Sequence, residues 1–130
     1  MKRLLVTSAT SLLLLLGNSA QARQDAHQLN PEAVVLSITA NILHTDSALL
    51  QPEAPFAQQH PVSADALDVV EIIMAVEDAL QLKIDDSELD RRIGASDESE
   101  LAQKLTIRQL QSYVRELWEN ATNRKKRQAA

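Results

Sequence analysis

The segment from Asp65 to Leu80 is the best-marked helix of the chain, and it limits what the other segments can fold into. Asp65 is of a preferred N-cap type, and Asp68 places a second carboxylate in the first turn, where it complements the helix dipole. Apolar residues cover much more of this segment than one narrow stripe. Such a helix is either buried around most of its circumference or presents apolar surface to a partner.

The composition favours helices packed on helices. The chain has 130 residues, 45% of them hydrophobic, with one Phe, one Tyr and one Trp, so aliphatic side chains must fill the core. Only two glycines are present to supply tight turns. This length is sufficient for one small domain, and the aliphatic core is typical of an all-α fold.

Residues 1–22 have the order of a signal peptide and are set apart from the fold. Lys2 and Arg3 give a short basic start, an apolar run follows from Leu4 to Gly17, and Ala20 to Ala22 form a small-x-small cleavage site. The run is shorter than the roughly 20 residues that span a bilayer. We therefore expect cleavage after Ala22 and a periplasmic or secreted mature protein, with an uncleaved anchor as the alternative.

The mature domain is strongly acidic. Residues 23–123 hold 7 basic and 18 acidic side chains, a net charge of −11. This charge argues against a nucleic-acid partner and favours the basic patch of a protein partner. The absence of cysteine excludes disulfides and thiolate metal sites, so packing must stabilise the fold.

The order of elements predicts four main helices, preceded by a flexible lead at 23–31. Pro31 is expected to open helix one, which ends near Asp46. Prolines at 52, 55 and 61 predict a long ordered loop between helices one and two. Residues 87–92 are expected to form a short third helix, and residues 97–104 a helical or flexible insert.

Thr106 is the expected N-cap of the last helix. The helical domain is assigned to 32–119, and residues 120–130 to a basic disordered tail whose alternative role is contact with a membrane surface. The periodicity of the helices predicts a core formed by Val35, Ile38, Leu67, Val70, Met74, Leu80, Ile107, Leu110 and Val114.

Asp65, Leu67, Asp68, Val70, Glu71, Met74, Ala75 and Glu77 stand at the relative spacing seen in the second helix of acyl carrier proteins. The chain resembles that family over about residues 33–115. The resemblance implies a four-helix bundle with a long loop between helices one and two. It also implies that Phe56, in this loop, packs over the bundle. The loop departs from the family pattern, because Phe56 to Ala66 is longer than in the common form.

In the family, an Asp-Ser-Leu turn opens this helix, and its serine carries 4'-phosphopantetheine. The resemblance places Ala66 at the serine position, and alanine has no hydroxyl. It therefore implies a carrier scaffold without this cofactor. It also assigns partner docking to the acidic residues of helix two, namely Asp65, Asp68, Glu71, Glu77 and Asp78, for which a solvated helix face is the alternative.

The residues indicate no other chemistry. His27, His44 and His60 are scattered and lack metal-ligand spacing, and no acid, base and nucleophile converge in the sequence. Ser63 is a hydroxyl near Ala66 but lacks the Asp-Ser-Leu context. We therefore predict that the protein is not an enzyme.

Three functions remain compatible with the sequence. The favoured one is an exported binding or interaction module that docks partners through helix two and holds an acyl chain or lipid, if at all, non-covalently. The first alternative is a working acyl carrier in fatty-acid or polyketide-type acyl transfer, with 4'-phosphopantetheine attached through Ser63 or another serine. The second is a helical structural or inhibitory domain without an acyl ligand.

Overall fold

The computed structural model describes residues 29–129, so the predicted signal peptide and most of the predicted lead lie outside the described residues. Within this range there are five α-helices and no β-strand. The all-α prediction is confirmed. The helices are α1 (Pro31–Ile42), α2 (Ala66–Leu80), α3 (Asp86–Ile93), α4 (Glu98–Lys104) and α5 (Ile107–Ala129), with 3₁₀ turns at Ser47–Leu49 and Phe56–Gln58.

Polar side chains define where the later helices begin. Asp85 and Asp97 cap α3 and α4, each accepting a hydrogen bond from a backbone N–H three residues on. Thr106 and Gln109 cap α5 reciprocally, each side chain accepting from the backbone N–H of the other at 3.0 and 2.9 Å. Gly94 ends α3 in the left-handed conformation, with a φ of 78°. The predicted insert at 97–104 is therefore an ordered helix, α4.

Two non-glycine residues also adopt left-handed backbone conformations. His44 has a φ of 53° and Gln81 a φ of 52°. His44 lies in the turn after α1, which ends at Ile42 and not near Asp46 as the sequence predicted. Gln81 is the C-cap of α2, and its backbone N–H donates to the carbonyl of Glu77. Each position turns the chain out of a helix.

The core lies where α1 packs on α2 and α5, and where α4 packs on α2 and the second 3₁₀ turn. Of the predicted core, Val35, Leu80, Ile107, Leu110 and Val114 are buried.

The sequence predicted the wrong side of α2 to face the core. Leu67 and Met74 are 74% and 62% exposed, and both Val70 and Ile38 are only half-buried. Since α2 carries apolar residues almost all the way round, its periodicity could not identify the inner face. The residues of α2 that are buried instead are Val69, Ile72, Ile73, Val76 and Leu80.

The loop between α1 and α2 is held by specific contacts, as an ordered loop requires. Phe56 is fully buried, which confirms the prediction that it packs over the bundle, and its backbone N–H donates to the carbonyl of Leu105 at 2.9 Å. Gln59 is also buried. Its amide donates to the carbonyls of Gln51 and Ala54, and its Oε1 accepts from the backbone N–H of Gln51 at 2.8 Å.

An ion-pair cluster joins α3 to α5. Arg92 donates to Glu116 on α5 at 2.9 Å and to Glu88 on its own helix at 3.0 Å, and its guanidinium lies 4.7 Å from the ring centre of Tyr113. Hydrogen bonds from Arg91 and Arg92 lower the pKa of Glu88 to about 2. Burial raises the pKa of Tyr113. The cluster is exposed, so solvent weakens each of its pairs.

The helix α5 extends much further than the sequence predicted. Residues 120–129 continue it, so the predicted disordered tail is wrong for this stretch. No glycine or proline interrupts the sequence from Ile107 to Ala129, and most of its residues are good helix formers. Across residues 29–129, no helix combines the length and the apolar character needed to cross a bilayer.

Candidate functional site

Ala66 is the first residue of α2, and the turn that presents it is rigidly capped. The backbone N–H of Asp68 donates to Oδ1 of Asp65 at 2.8 Å, and the backbone N–H of Asp65 donates to Oδ2 of Asp68 at 3.0 Å. This capping box satisfies orphan donors of the helix start. Two of the five predicted docking carboxylates, those of Asp65 and Asp68, are therefore engaged in holding the turn, and Ala66, between them in sequence, is half-buried.

An exposed stripe runs along α2 from this turn. It consists of Leu67, Glu71, Met74 and Asp78, spaced by four, three and four residues, so that all four lie on one side of the helix. Two large apolar side chains thus alternate with two carboxylates in solvent. Exposed apolar groups set among charges are typical of a surface that binds a protein. We refer to these four residues below as the α2 stripe.

Glu77 has a different role from the residues of the α2 stripe. Its Oε2 accepts a hydrogen bond from the backbone N–H of Ile84 at 2.9 Å, and its side chain is half-buried. The carboxylate therefore fixes the segment that leaves α2. Within residues 29–129, the exposed carboxylates of Glu71 and Asp78 form no hydrogen bond. They are the two predicted docking residues of which this is true.

A cavity of about 190 Å³ opens beside Met74, between α2, α3 and α4. Its walls are apolar where α2 and α4 meet, and its rim carries carboxylates. The apolar walls can contact the apolar part of an inserted side chain, and the carboxylates of the rim attract positive charge. The cavity therefore suits a side chain from a basic protein surface. The lining residues are Val70, Ile73, Met74, Glu77, Asp86, Asp90, Glu98 and Leu101.

Other candidate groups stay apart from the start of α2. Ser63 is exposed in the loop and precedes the capping turn, so it does not occupy the position of Ala66. His44 and His60 are exposed in separate loops, and His27 lies outside the described residues. Within residues 29–129, no group of three or more His, Asp or Glu side chains is arranged to hold a metal ion.

The fold and the site together define a small helical domain that presents one capped, acidic and partly apolar helix. No protein-family model matches the chain. It is similar to the acyl carrier protein of Helicobacter pylori strain J99, with 35% identity over 63 residues, which is 48% of this chain and 78% of that protein. It is also similar to the acyl carrier protein of Syntrophobacter fumaroxidans, with 38% identity over 56 residues, or 43% of this chain and 67% of that protein.

The chain belongs to the acyl carrier protein family. The family prediction made from α2 is therefore confirmed, and so is the helical fold that it implied. Sequence reasoning missed Leu67 and Met74 as surface residues, because it assigned both to the core. The signal that was available is their spacing, which matches that of Glu71 and Asp78 along the same side of α2.

Proposed function

We propose that this protein is an exported, non-enzymatic interaction module of the acyl carrier family, without the covalent arm, which docks on the basic patch of a protein partner. The observation that carries the proposal is the α2 stripe, which sets Leu67 and Met74 in solvent beside Glu71 and Asp78 along the helix that begins at Ala66. Apolar side chains exposed together on one side of a helix support a protein-binding role.

The absence of a covalent arm follows from the chemistry of Ala66. Attachment of phosphopantetheine requires a side-chain oxygen at the opening turn of α2, and a methyl group provides no nucleophile. In our proposal Ala66 occupies the attachment position of the family, and the capping box of Asp65 and Asp68 preserves the shape of that turn. The scaffold would then retain the binding surface while lacking the reaction.

The docking step uses two kinds of contact. Leu67 and Met74 supply apolar surface that is removed from water when a partner binds. Glu71, Asp78 and the net charge of −11 over residues 23–123 steer a basic partner toward α2. The apolar residues should therefore govern dissociation, and the carboxylates should govern the association rate and its dependence on salt.

Modification by a phosphopantetheinyl transferase tests the assignment of Ala66. The wild-type protein and the Ala66→Ser variant are incubated with transferase and coenzyme A, and their masses are measured. We expect no change for the wild type and addition of one phosphopantetheine to Ala66→Ser, since serine is well tolerated near a helix start. An Ala66→Ser protein that stays unmodified would contradict the assignment of this position.

Ser63→Ala in the wild-type background is the matched control for this assay. If the wild type gains the phosphopantetheine mass and Ser63→Ala does not, Ser63 carries the arm and the protein is a working carrier. That result would refute the proposed function, whatever the behaviour of Ala66→Ser.

Site-directed photo-crosslinking tests docking through the α2 stripe. A photoreactive residue at position 74 should yield a discrete crosslinked product in cells. Glu71→Lys should abolish this product by reversing the charge of the stripe. Glu119→Lys makes the same change on an exposed position of α5 and should leave the product intact. Equal effects of the two reversals would show that only overall charge matters, against a specific docking surface.

Export is the remaining part of the proposal, and it rests on the order of residues 1–22. Amino-terminal sequencing of the protein recovered from cells should begin at Arg23. Recovery of the full-length chain in the membrane fraction would contradict cleavage.

A further inference from the structure

A second cavity, of about 270 Å³, lies between the segment joining α2 to α3 and the distal half of α5. Lys83 reaches it from the segment and Arg124 from the helix, so two cations from distant parts of the sequence line one cavity. Both side chains are exposed, and neither forms an ion pair with another residue in 29–129. Lys83 lies within an acidic stretch, residues 23–123 having a net charge of −11, whereas Arg124 begins the basic run at the end of the chain.

Apolar side chains share the lining of this cavity with the two cations and with Gln81. Leu82, Leu117 and Ala121 are half-buried in its wall. Asn120 adds an exposed amide, which can donate to an anion. Cations beside apolar surface match a ligand that carries both a negative charge and an apolar chain. The volume is near the lower end for small-molecule sites, so it would take a head group and the first part of a chain.

The cations of another cavity form ion pairs, unlike Lys83 and Arg124. That cavity lies between α3 and α5 and contains Arg92 and Arg108. Arg92 is paired with Glu116, and Arg108 with Glu53. An anion there would have to displace a carboxylate. Between Lys83 and Arg124 no described carboxylate has to be displaced, which lowers the cost of binding.

We propose that the Lys83–Arg124 cavity binds a single-chain amphiphile with a carboxylate or phosphate head group. The head group lies between Lys83 and Arg124, and the chain covers Leu82 and Leu117. No residue of the α2 stripe lines this cavity, so the proposal does not depend on docking through α2. It assigns a non-covalent ligand to a part of the fold remote in sequence from Ala66.

Isothermal calorimetry provides the main readout, and fluorescence of Trp118, the only tryptophan of the chain and the sequence neighbour of Leu117, is a second one. Decanoate, below its micellar concentration, is titrated into the protein purified from cells after export. Acetate has the head group alone, octyl glucoside has a chain with an uncharged head, and inorganic phosphate is a free anion. We expect calorimetry to show saturable binding of one decanoate per protein, and none of the three controls should bind in the same concentration range.

Variants locate the binding site. Lys83→Gln and Arg124→Gln should each weaken decanoate binding by roughly threefold to tenfold, the range expected when one charge-assisted contact at a partly exposed site is lost. Arg127→Gln removes the same charge from α5 but does not line the cavity, so it should change the affinity by less than twofold, which is about the experimental error. Circular dichroism of each variant checks that the helices remain folded.

Three outcomes would overturn the proposal. The first is decanoate affinity that is unaffected by Lys83→Gln and Arg124→Gln. The second is equal weakening by Arg127→Gln, which would indicate general charge attraction. The third is binding to vesicles of anionic phospholipid without binding of monomeric decanoate, which would assign the basic residues to a membrane surface. In the wild type, a fall in decanoate affinity with rising salt supports the ionic contact independently of any variant.

Discussion

Oε2 of Glu77 accepts a hydrogen bond from the backbone N–H of Ile84 at 2.9 Å, which ties the last turn of α2 to the segment leading into α3. Ile84 itself is buried, so this contact helps to hold a core residue in place. Glu71, two turns earlier on α2, is exposed. Two acidic residues of one helix thus differ in their surroundings, although the sequence assigned both to partner docking.

This difference predicts a loss of stability on removing the carboxylate of Glu77 and little change on removing that of Glu71. Glu77→Ala should lower the free energy of unfolding by about 1 to 2 kcal/mol, because the N–H of Ile84 loses its acceptor. Glu71→Ala should change it by less than about 0.5 kcal/mol, as is usual for an exposed position. Urea unfolding followed by circular dichroism measures both. Equal loss of stability in the two variants would contradict the division of roles.

The exposure of Met74 makes a second prediction about α2. Met74→Ala should alter the free energy of unfolding by less than about 0.5 kcal/mol, since the side chain is mostly in solvent. Ile72→Ala, on the buried side of the same helix, should cost about 2 to 5 kcal/mol. Chemical denaturation distinguishes the two, and a large cost at Met74 would mean that the inner face of α2 is the one that the sequence first indicated.

The third prediction concerns the loop before α2. Gln59→Ala leaves one backbone N–H and two backbone carbonyls, of Gln51 and Ala54, without their partner. Unsatisfied buried groups are costly, so the variant should lose about 1 to 3 kcal/mol of stability. Gln58→Ala, the exposed neighbouring position, is the control and should have little effect. A thermal-unfolding series compares the two.

The ion-pair cluster on α3 predicts a response to acid. Hydrogen bonds from Arg91 and Arg92 lower the pKa of Glu88 from 4.5 to about 2 in the folded protein. A lowered folded-state pKa contributes stability above about pH 4.5, and this contribution is lost as the pH falls toward 2. Glu88→Gln should therefore flatten the dependence of unfolding midpoint on pH between 4.5 and 2. An unchanged profile in this variant would assign acid sensitivity to other carboxylates.

The local signals in the sequence predicted the helix starts well. Asp65, Thr106 and Pro31 were each placed correctly at the beginning of a helix, because capping depends on residues close together in the chain. The side of α2 that faces the core was not predictable, since apolar residues surround the helix and only its neighbours determine which are covered. The same applies to the loop. The hydrogen bond from Phe56 to Leu105 joins residues far apart in sequence, and no local pattern indicates it.

The position proposed for the candidate site, at the start of α2, came from the family resemblance. The structure leaves Glu71 and Asp78 exposed, and their role in docking stays a proposal. The exposure of Leu67 and Met74 could be recognised only when the packing of α2 was known. Lys83 and Arg124 line the same cavity because α5 extends past Arg124. The sequence predicted that the helical domain ends before Arg124.

The left-handed turns at His44 and Gln81 place non-glycine residues where glycine would be less strained. A side chain in that conformation costs about 1 kcal/mol, which glycine avoids, as Gly94 does at the end of α3. His44→Gly and Gln81→Gly should each stabilise the protein by a few tenths of a kcal/mol to about 1 kcal/mol, after allowance for the greater freedom of glycine in the unfolded chain. Calorimetry should then show a higher melting temperature for the double variant. Protein engineering at these two helix ends should therefore raise the melting temperature of the wild-type protein without any change to the core.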